Sequence, residues 1–306
     1  MDKEERAIFR EVFSNACMIY VTEGDDFVLG SGIHAVTGAC RHYDRTLIFT
    51  GSDTWMTRGS FSNESTPEIV PINTTFGCTD TQAVGVLGNS PLTVQDNKVL
   101  LWSSQTDERD ECNARVISSP VKEFLSRKET DGIAMFVYQD KQEVWLYRPA
   151  SEERILVWQD TVKAWTSFDG FVPETLFVFD GQLGFSQGDA VFLFDGTRTS
   201  DVLSDGTEQG IRCVYEGQYF DFGTPRAKGN VCRGVVIADC GADELQLTLE
   251  SDKGHRSLIT MQGERSPVSV MMRRAYVGRF RQLRAGVIAQ GKGTLRLYGI
   301  KIAVKR

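Results

Sequence analysis

Two short stretches constrain this chain more than any other, because each is apolar on both sides of a strand. In QEVWLYRP, Val144 and Leu146 fall on one face, and Trp145 and Tyr147 on the other. In RILVWQD, Ile155 and Val157 likewise oppose Leu156 and Trp158. A strand with two apolar faces must be stacked between two other layers to keep both from water. The aromatic residues are therefore expected to act as mortar between sheets.

The same rhythm extends over most of the sequence. TLIFTGSDTWMTRG (46–59) reads as strand, Gly-Ser-Asp turn and strand, and AVGVLGNSPLTVQDNKVLLWSS (83–104) turns at Asn89-Ser90-Pro91 and Asp96-Asn97. GIAMFVYQDKQEVWLYRP (132–149) is a hairpin around Gln139-Asp140-Lys141, and 154–168, 175–188 and 190–206 follow suit. Phe-Asp-Gly occurs at 168–170, 179–181 and 194–196, where glycine suits a turn position with positive φ. Repeated hairpins at short, uneven intervals predict an all-β fold over residues 1–210, an irregular β-propeller-like or multi-sheet hairpin domain. Only EERAIFREVF near the start reads as a short helix or arm, with VKEFLSRKET (121–130) a weaker candidate. From residue 211 to 306 the strands lengthen, predicting an antiparallel β-sandwich. In TLRLYGIKIAVKR the apolar residues change parity across Gly299, which predicts a bulge.

The charge is divided along the same line. Residues 1–211 hold 17 Lys and Arg against 33 Asp and Glu, a balance of −16, whereas 212–306 hold 17 against 8, a balance of +9. Two such segments are expected to face different partners. With 41% hydrophobic and 25% charged residues the composition is that of a globular protein. No apolar run is long enough for a membrane span. The first twenty residues lack the pattern of a signal peptide, so synthesis in the cytoplasm is expected. The seven cysteines are scattered without C-x-x-C spacing, which indicates neither a disulfide frame nor a zinc site. Cys232 and Cys240 are expected as buried free thiols in a strand.

Little in the sequence suggests catalysis. His34, His42 and His255 are far apart, and Asp201-Val202-Leu203-Ser204-Asp205-Gly206 lacks the ligand alternation of a calcium loop. Gly30-Ser31-Gly32 and Gly291-Lys292-Gly293 have no phosphate-loop spacing. No catalytic, cofactor or metal residue is predicted. The most suggestive segment is MMRRAYVGRFRQLRAG (271–286), where Arg273, Arg274, Arg279, Arg281 and Arg284 surround Tyr276 and Phe280. In an extended chain Arg279 and Arg281 share a face opposite Phe280. These five arginines are the candidate subunit or partner interface, with a solvated face and nucleic-acid contact as the other readings.

The order of segments resembles bacteriophage β-propeller proteins of the head–tail junction or short tail, of the packaged-DNA stabilisation and tail-nozzle type. The resemblance runs over roughly residues 40 to 230. It is carried by Thr46–Arg58, by Gly77-Cys78 through Trp102, by ILVWQDTVKAWTSF, and by Phe222-Gly223-Thr224-Pro225. It implies a structural virion protein without enzymatic activity, made in the host cytoplasm and resident in the virion. It further implies a homo-oligomeric ring, a hexamer, that adjoins portal, adaptor or other tail proteins. Packaged double-stranded DNA would be retained and ejected through that ring without sequence-specific contact. An acidic channel wall would repel phosphates and let the duplex slide, and the basic sandwich would meet an acidic neighbouring ring. Two alternatives remain. One is a carbohydrate- or receptor-binding propeller module that displays Trp145, Trp158 and Trp165. The other is a propeller glycoside hydrolase, which needs clustered carboxylates.

Overall fold

The computed structural model describes residues 29, 35–58, 68–103, 112–125, 132–152, 154–196, 200–202, 206–223, 231–240, 244–262, 268–272, 277–292 and 295–304. The expected N-terminal helix or arm lies outside them. The described residues form an all-β fold of several small antiparallel sheets, none closed into a barrel. By contacts the chain divides between Phe194 and Asp195. The expected boundary at 210/211 cuts a hairpin instead, because Ser200–Val202 pairs with Glu208–Gly210.

The first unit is a series of antiparallel meanders. β1 (Val36–His42), β2 (Arg45–Thr50), β3 (Thr54–Arg58) and β4 (Glu68–Asn73) form the first sheet. β5 (Val84–Leu87), β6 (Ser90–Gln95), β7 (Lys98–Trp102) and β8 (Ala114–Val116) form the second. The third holds β9 (Ala134–Tyr138), β10 (Glu143–Tyr147), β11 (Ile155–Gln159) and β12 (Ala164–Phe168). The fourth has only β13 (Thr175–Phe179), β14 (Gln182–Gln187) and β15 (Ala190–Leu193). The leading strands lie side by side: β1 against β5, β5 against β9, and β9 against β13. Meanders that meet through their first strands are arranged as propeller-like blades.

Two-sided strands make this stacking possible. Val144, Leu146, Leu156 and Trp158 belong to one apolar core with side chains of the second sheet. Trp145, Tyr147, Ile155 and Val157 belong to another with Leu176, Leu183 and Phe185 of the fourth. Each face of the third sheet is thus sealed by a different neighbour, and the period of two assigns every residue to its side. Between leading strands the approach is close. A Cβ at Gly38 would stand 2.6 Å from Val84 Cγ2, and one at Gly85 would stand 2.7 Å from both Met135 Sδ and Val137 Cγ2.

The connection from the first sheet to the second is clamped by buried polar groups. Asn73 Oδ1 accepts the N–H of Thr75 at 2.8 Å and of Phe76 at 2.7 Å, while its amide donates to Asn113 Oδ1 at 2.8 Å. Gln95 Oε1 accepts the Gly77 N–H at 3.0 Å, and Thr93 donates to the Gly77 carbonyl at 2.9 Å. Trp102 Nε1 in turn donates to Thr93 Oγ1 at 3.0 Å. These bonds satisfy backbone groups that burial would otherwise leave unpaired.

Several turns differ from the sequence reading. Asp96-Asn97 and Asp180-Gly181 do adopt paired positive φ between strands, the geometry that matches strand twist. The turn expected at 89–91 falls one residue earlier, so Ser90 and Pro91 open β6. Pro91 is tolerated there because it sits at the strand's beginning. Of the three Phe-Asp-Gly copies only 179–181 closes a hairpin; 168–170 leads from the third sheet to the fourth, and 194–196 spans the division between units. Within 121–130 the described helix is one turn, Lys122–Leu125.

The second unit pairs two sheets. β16 (Ser200–Val202), β17 (Glu208–Glu216), β22 (Leu283–Gly291), β19 (Glu244–Ser251) and β20 (Arg256–Gln262) lie side by side in that order. The second sheet is β21 (Val268–Met272), β18 (Val231–Cys240) and β23 (Leu295–Val304). Leu245, Leu247 and Leu249 pair with Ala289, Val287 and Ala285, setting large beside small on one face. That face forms a core with Val236, Leu297, Ile300 and Ile302 of the opposing sheet, which makes an antiparallel sandwich. The register of β18 on β23 slips between Ile237 and Ala238, opposite Gly299 and Leu297. The bulge expected from the parity change is present, and it returns Ile300 and Ile302 to the core side. Cys232 and Cys240 lie on β18, with side chains outside the described set.

Gly77→Ala is expected to be the most damaging glycine substitution in the first unit. Its Cβ would collide with the Thr50 carbonyl oxygen and stand 2.9 Å from Asp53 N and O, all backbone atoms that cannot swing away. The expected loss is about 3 kcal/mol, with Gly85→Ala costing about 1–3 kcal/mol through Met135 and Val137. Gly51→Ala, which meets nothing within 4 Å, serves as the neutral control. Urea-unfolding midpoints followed by tryptophan fluorescence check this order.

Candidate functional site

The arginine segment separates into three situations. Arg273 and Arg274 lie outside the described residues. Arg279 and Arg281 are exposed around Phe280, which is fully buried in the sandwich core beside Phe222. The expected inside–outside alternation is therefore present, although 279–281 is a loop entering β22 and not a strand. Gly278 takes positive φ before it, and the Arg281 backbone N–H donates to Asp252 Oδ1 at 3.0 Å.

Arg284 is held within its own unit. Its guanidinium donates to Glu250 Oε2 through Nη2 at 2.8 Å and Nε at 3.2 Å, and to Glu216 Oε2 through Nη1 at 3.3 Å. The strand registers explain the meeting, since β22 runs between β17 and β19 and pairs Arg284 with Glu250. Tyr219 completes the cluster. Its hydroxyl donates to Glu250 Oε1 at 3.1 Å, and the Arg284 guanidinium carbon stands 5.3 Å from its ring centroid. The hydrogen bond from Arg284 holds the Glu250 carboxyl below the usual carboxylate range and raises the Arg284 pKa in return. Partial burial, then the bond to Glu250, raises that of Tyr219.

Beside this cluster, Tyr219, Phe220, Asp221, Phe222 and Gln282 line a cavity of about 500 Å³. The lining strand continues the β17 side of the sheet after Gly217, with Phe220 and Leu283 exchanging backbone bonds at 2.9 and 3.0 Å. Asp221 Oδ1 accepts the Gly223 N–H at 2.8 Å, fixing the turn in which Phe222 and Gly223 take positive φ. This aromatic and acidic cluster escaped the sequence reading. YEGQYFDFG gives no sign that it meets residues 250, 282 and 284, which only the sheet order brings to it.

The tryptophans serve as packing. Trp145 and Trp158 are 3% and 5% exposed, and Trp165 is partly buried against Trp158 at a centroid distance of 5.4 Å. Their indole N–H groups donate to Glu143 Oε2, Asp160 Oδ1 and the Ile117 carbonyl at 3.0, 3.3 and 2.9 Å. A module displaying these three rings to a ligand is not what this packing offers.

The remaining reactive groups are structural in setting. Cys40, Cys78 and Cys213 are free thiols, the first two packed in the apolar core of the first unit. Burial, reinforced by Cys78, pushes the Cys40 thiol up to about 12. Such a thiol stays protonated and unreactive near neutral pH. His42 is buried with Nδ1 2.8 Å from the Asn89 carbonyl, and His255 packs beside Gly278. Among the described residues no group of three or more His, Cys, Asp or Glu is placed to hold a metal ion. Glu216 and Glu250 are both bonded to Arg284, which gives the pair a structural setting. No described helix is long and apolar enough to cross a membrane.

Comparison with known proteins leaves the family open. No family model and no curated protein matches the chain. Among solved structures it is similar to a glycoside hydrolase at 11% identity and a TM-score of 0.28, covering 87% of this chain and 83% of the other. It is also similar to an exo-β-1,3-galactanase from Phanerochaete chrysosporium, at 8% identity and 0.27, over 85% and 78% of the two chains. A chain of the S. cerevisiae core factor gives 5% and 0.33, over 85% of this chain and 47% of that one. At these scores the likenesses support no argument about activity.

The Arg284 cluster makes a pH prediction. A depressed carboxyl contributes stability that is present above the unfolded pKa and is lost as pH falls through the lower, folded value. The second unit should therefore lose about 1 kcal/mol on acidification through the range below the ordinary glutamate pKa. Arg284→Gln should remove most of that acid-side dependence while leaving the neutral-to-alkaline stability curve parallel to the parent. Thermal midpoints between pH 7 and 3 check it.

Proposed function

We propose that the protein is a structural, non-enzymatic component of a bacteriophage particle, a ring-forming tail or head–tail connector protein around packaged DNA. The observation that carries the assembly part is the outer face of the fourth sheet. Phe177, Phe179, Val191 and Leu193 share that face with Thr175, Gln182, Gly184 and Ser186, and it bears no charge. Its opposite face is sealed by the third sheet through Leu176, Leu183 and Phe185. Phe179 and Val191 are 65% and 67% exposed. Every earlier junction in the series sets apolar face on apolar face, and a second copy supplies the cover that this face lacks among the described residues.

The bacteriophage setting comes from the sequence resemblance over residues 40 to 230. The exposed Arg279 and Arg281 of the basic unit are suited to an acidic neighbouring protein, whereas Arg284, held by Glu216 and Glu250, serves the fold of its own unit.

Size-exclusion chromatography with light scattering, followed by negative-stain microscopy, tests the reading. The parent chain should form a closed oligomer, and Phe179→Glu combined with Val191→Lys should shift it to monomer with unchanged circular dichroism. A strictly monomeric parent that never joins virions would defeat the proposal.

A further inference from the structure

We infer that the cavity bounded by Tyr219, Phe220, Asp221, Phe222 and Gln282 is a binding site for a neutral saccharide, a role that does not depend on assembly through the fourth sheet. Sugar recognition needs a flat apolar platform for the C–H face of a pyranose and fixed polar groups for its hydroxyls. Tyr219, with 41% of its surface exposed, supplies that face, and Phe220, 57% exposed, adds aromatic surface beside the cavity.

The platform is already immobilised. Tyr219 is tied through its hydroxyl to Glu250, and Arg284 stands against its ring. Arg284 is itself gripped by two carboxylates. An aromatic side chain fixed before the ligand arrives loses little conformational freedom on binding. Phe220 is tied through its backbone N–H and carbonyl to Leu283, at 2.9 and 3.0 Å. The Asp221 carboxylate is oriented by its bond to the Gly223 N–H and keeps further acceptor capacity. The Gln282 side chain can both donate and accept, and its backbone carbonyl is anchored by the Asp252 N–H at 3.0 Å.

Charge selects the ligand class. Asp221 is the one charge among the described lining residues, and Arg284 beside them is already held by Glu216 and Glu250, so the lining offers no unengaged cation to phosphate or uronate groups. A cationic ligand finds Glu216, Glu250 and the Tyr219 ring already engaged by Arg284. A neutral polyhydroxyl ring fits what remains, and the volume of about 500 Å³ falls within the usual range for small-molecule sites.

Saturation-transfer NMR on the full chain tests this with cellotriose, maltotriose, chitotriose and galactotriose, each at roughly 5 mM, and with trigalacturonate as the anionic probe. At least one neutral trisaccharide should bind with a Kd of about 0.1–1 mM. Phe220→Ala and Gln282→Ala should each weaken it about tenfold at unchanged circular dichroism, and Tyr219→Ala should do at least as much. Trigalacturonate should give weaker transfer than its neutral counterpart. The inference is overturned if none of the four neutral probes binds, if binding survives both Tyr219→Ala and Phe220→Ala, or if the anionic probe binds more tightly. The Phe179 and Val191 variants leave this site intact, so its failure and that of the assembly reading are told apart.

Discussion

The first unit depends on sheets that are apolar on both faces and approach one another closely at their leading strands. The third sheet shows the constraint most fully. Trp145 and Tyr147 meet the fourth sheet, Val144 and Leu146 meet the second, and neither face is stable if its neighbour is removed. Glycines at 38 and 85 set the spacing, since side chains of the following leading strand occupy the room a Cβ would need. Aromatic side chains fill the space between sheets, and the indole nitrogens of Trp102, Trp145, Trp158 and Trp165 each find an acceptor.

A stack of this kind raises the question of its ends. Each internal junction satisfies two apolar faces at once, so the series stops cleanly only where a face turns polar or acquires a cover. Among the described residues the fourth sheet does neither: it has one strand fewer than its predecessors and leaves phenylalanine, valine and leucine exposed on an uncharged face. That exposure links packing to the proposed role, because the rule that orders the sheets within the chain also favours association between chains.

The second unit solves a different problem. Its sandwich core rests on leucines set beside alanines and valine across β19 and β22, and the outer face of the same strands gathers Glu216, Arg284, Glu250 and Tyr219. One strand, β22, thus carries core residues and the hub of the polar cluster on alternate positions. The basic character read from the sequence is therefore not uniform in use: Arg284 is consumed internally, whereas Arg279 and Arg281 flank a buried phenylalanine and stay in solvent.

Period-two alternation, turn chemistry and two-sided apolar strands were legible in the sequence itself, because neighbouring residues of a strand point to opposite faces wherever the strand is placed. From these came the all-β class, most hairpins, the bulge near Gly299 and the role of the tryptophans as mortar. The use of each turn was less legible: three copies of Phe-Asp-Gly serve three different connections, since a local φ preference does not say which strands follow. What only tertiary structure decided was the meeting of distant residues. Nothing local in YEGQYFDFG announces Glu250 and Arg284 as the partners of Tyr219. The order β17, β22, β19 makes them so, because hydrogen-bonded register, not sequence proximity, sets which side chains come within reach.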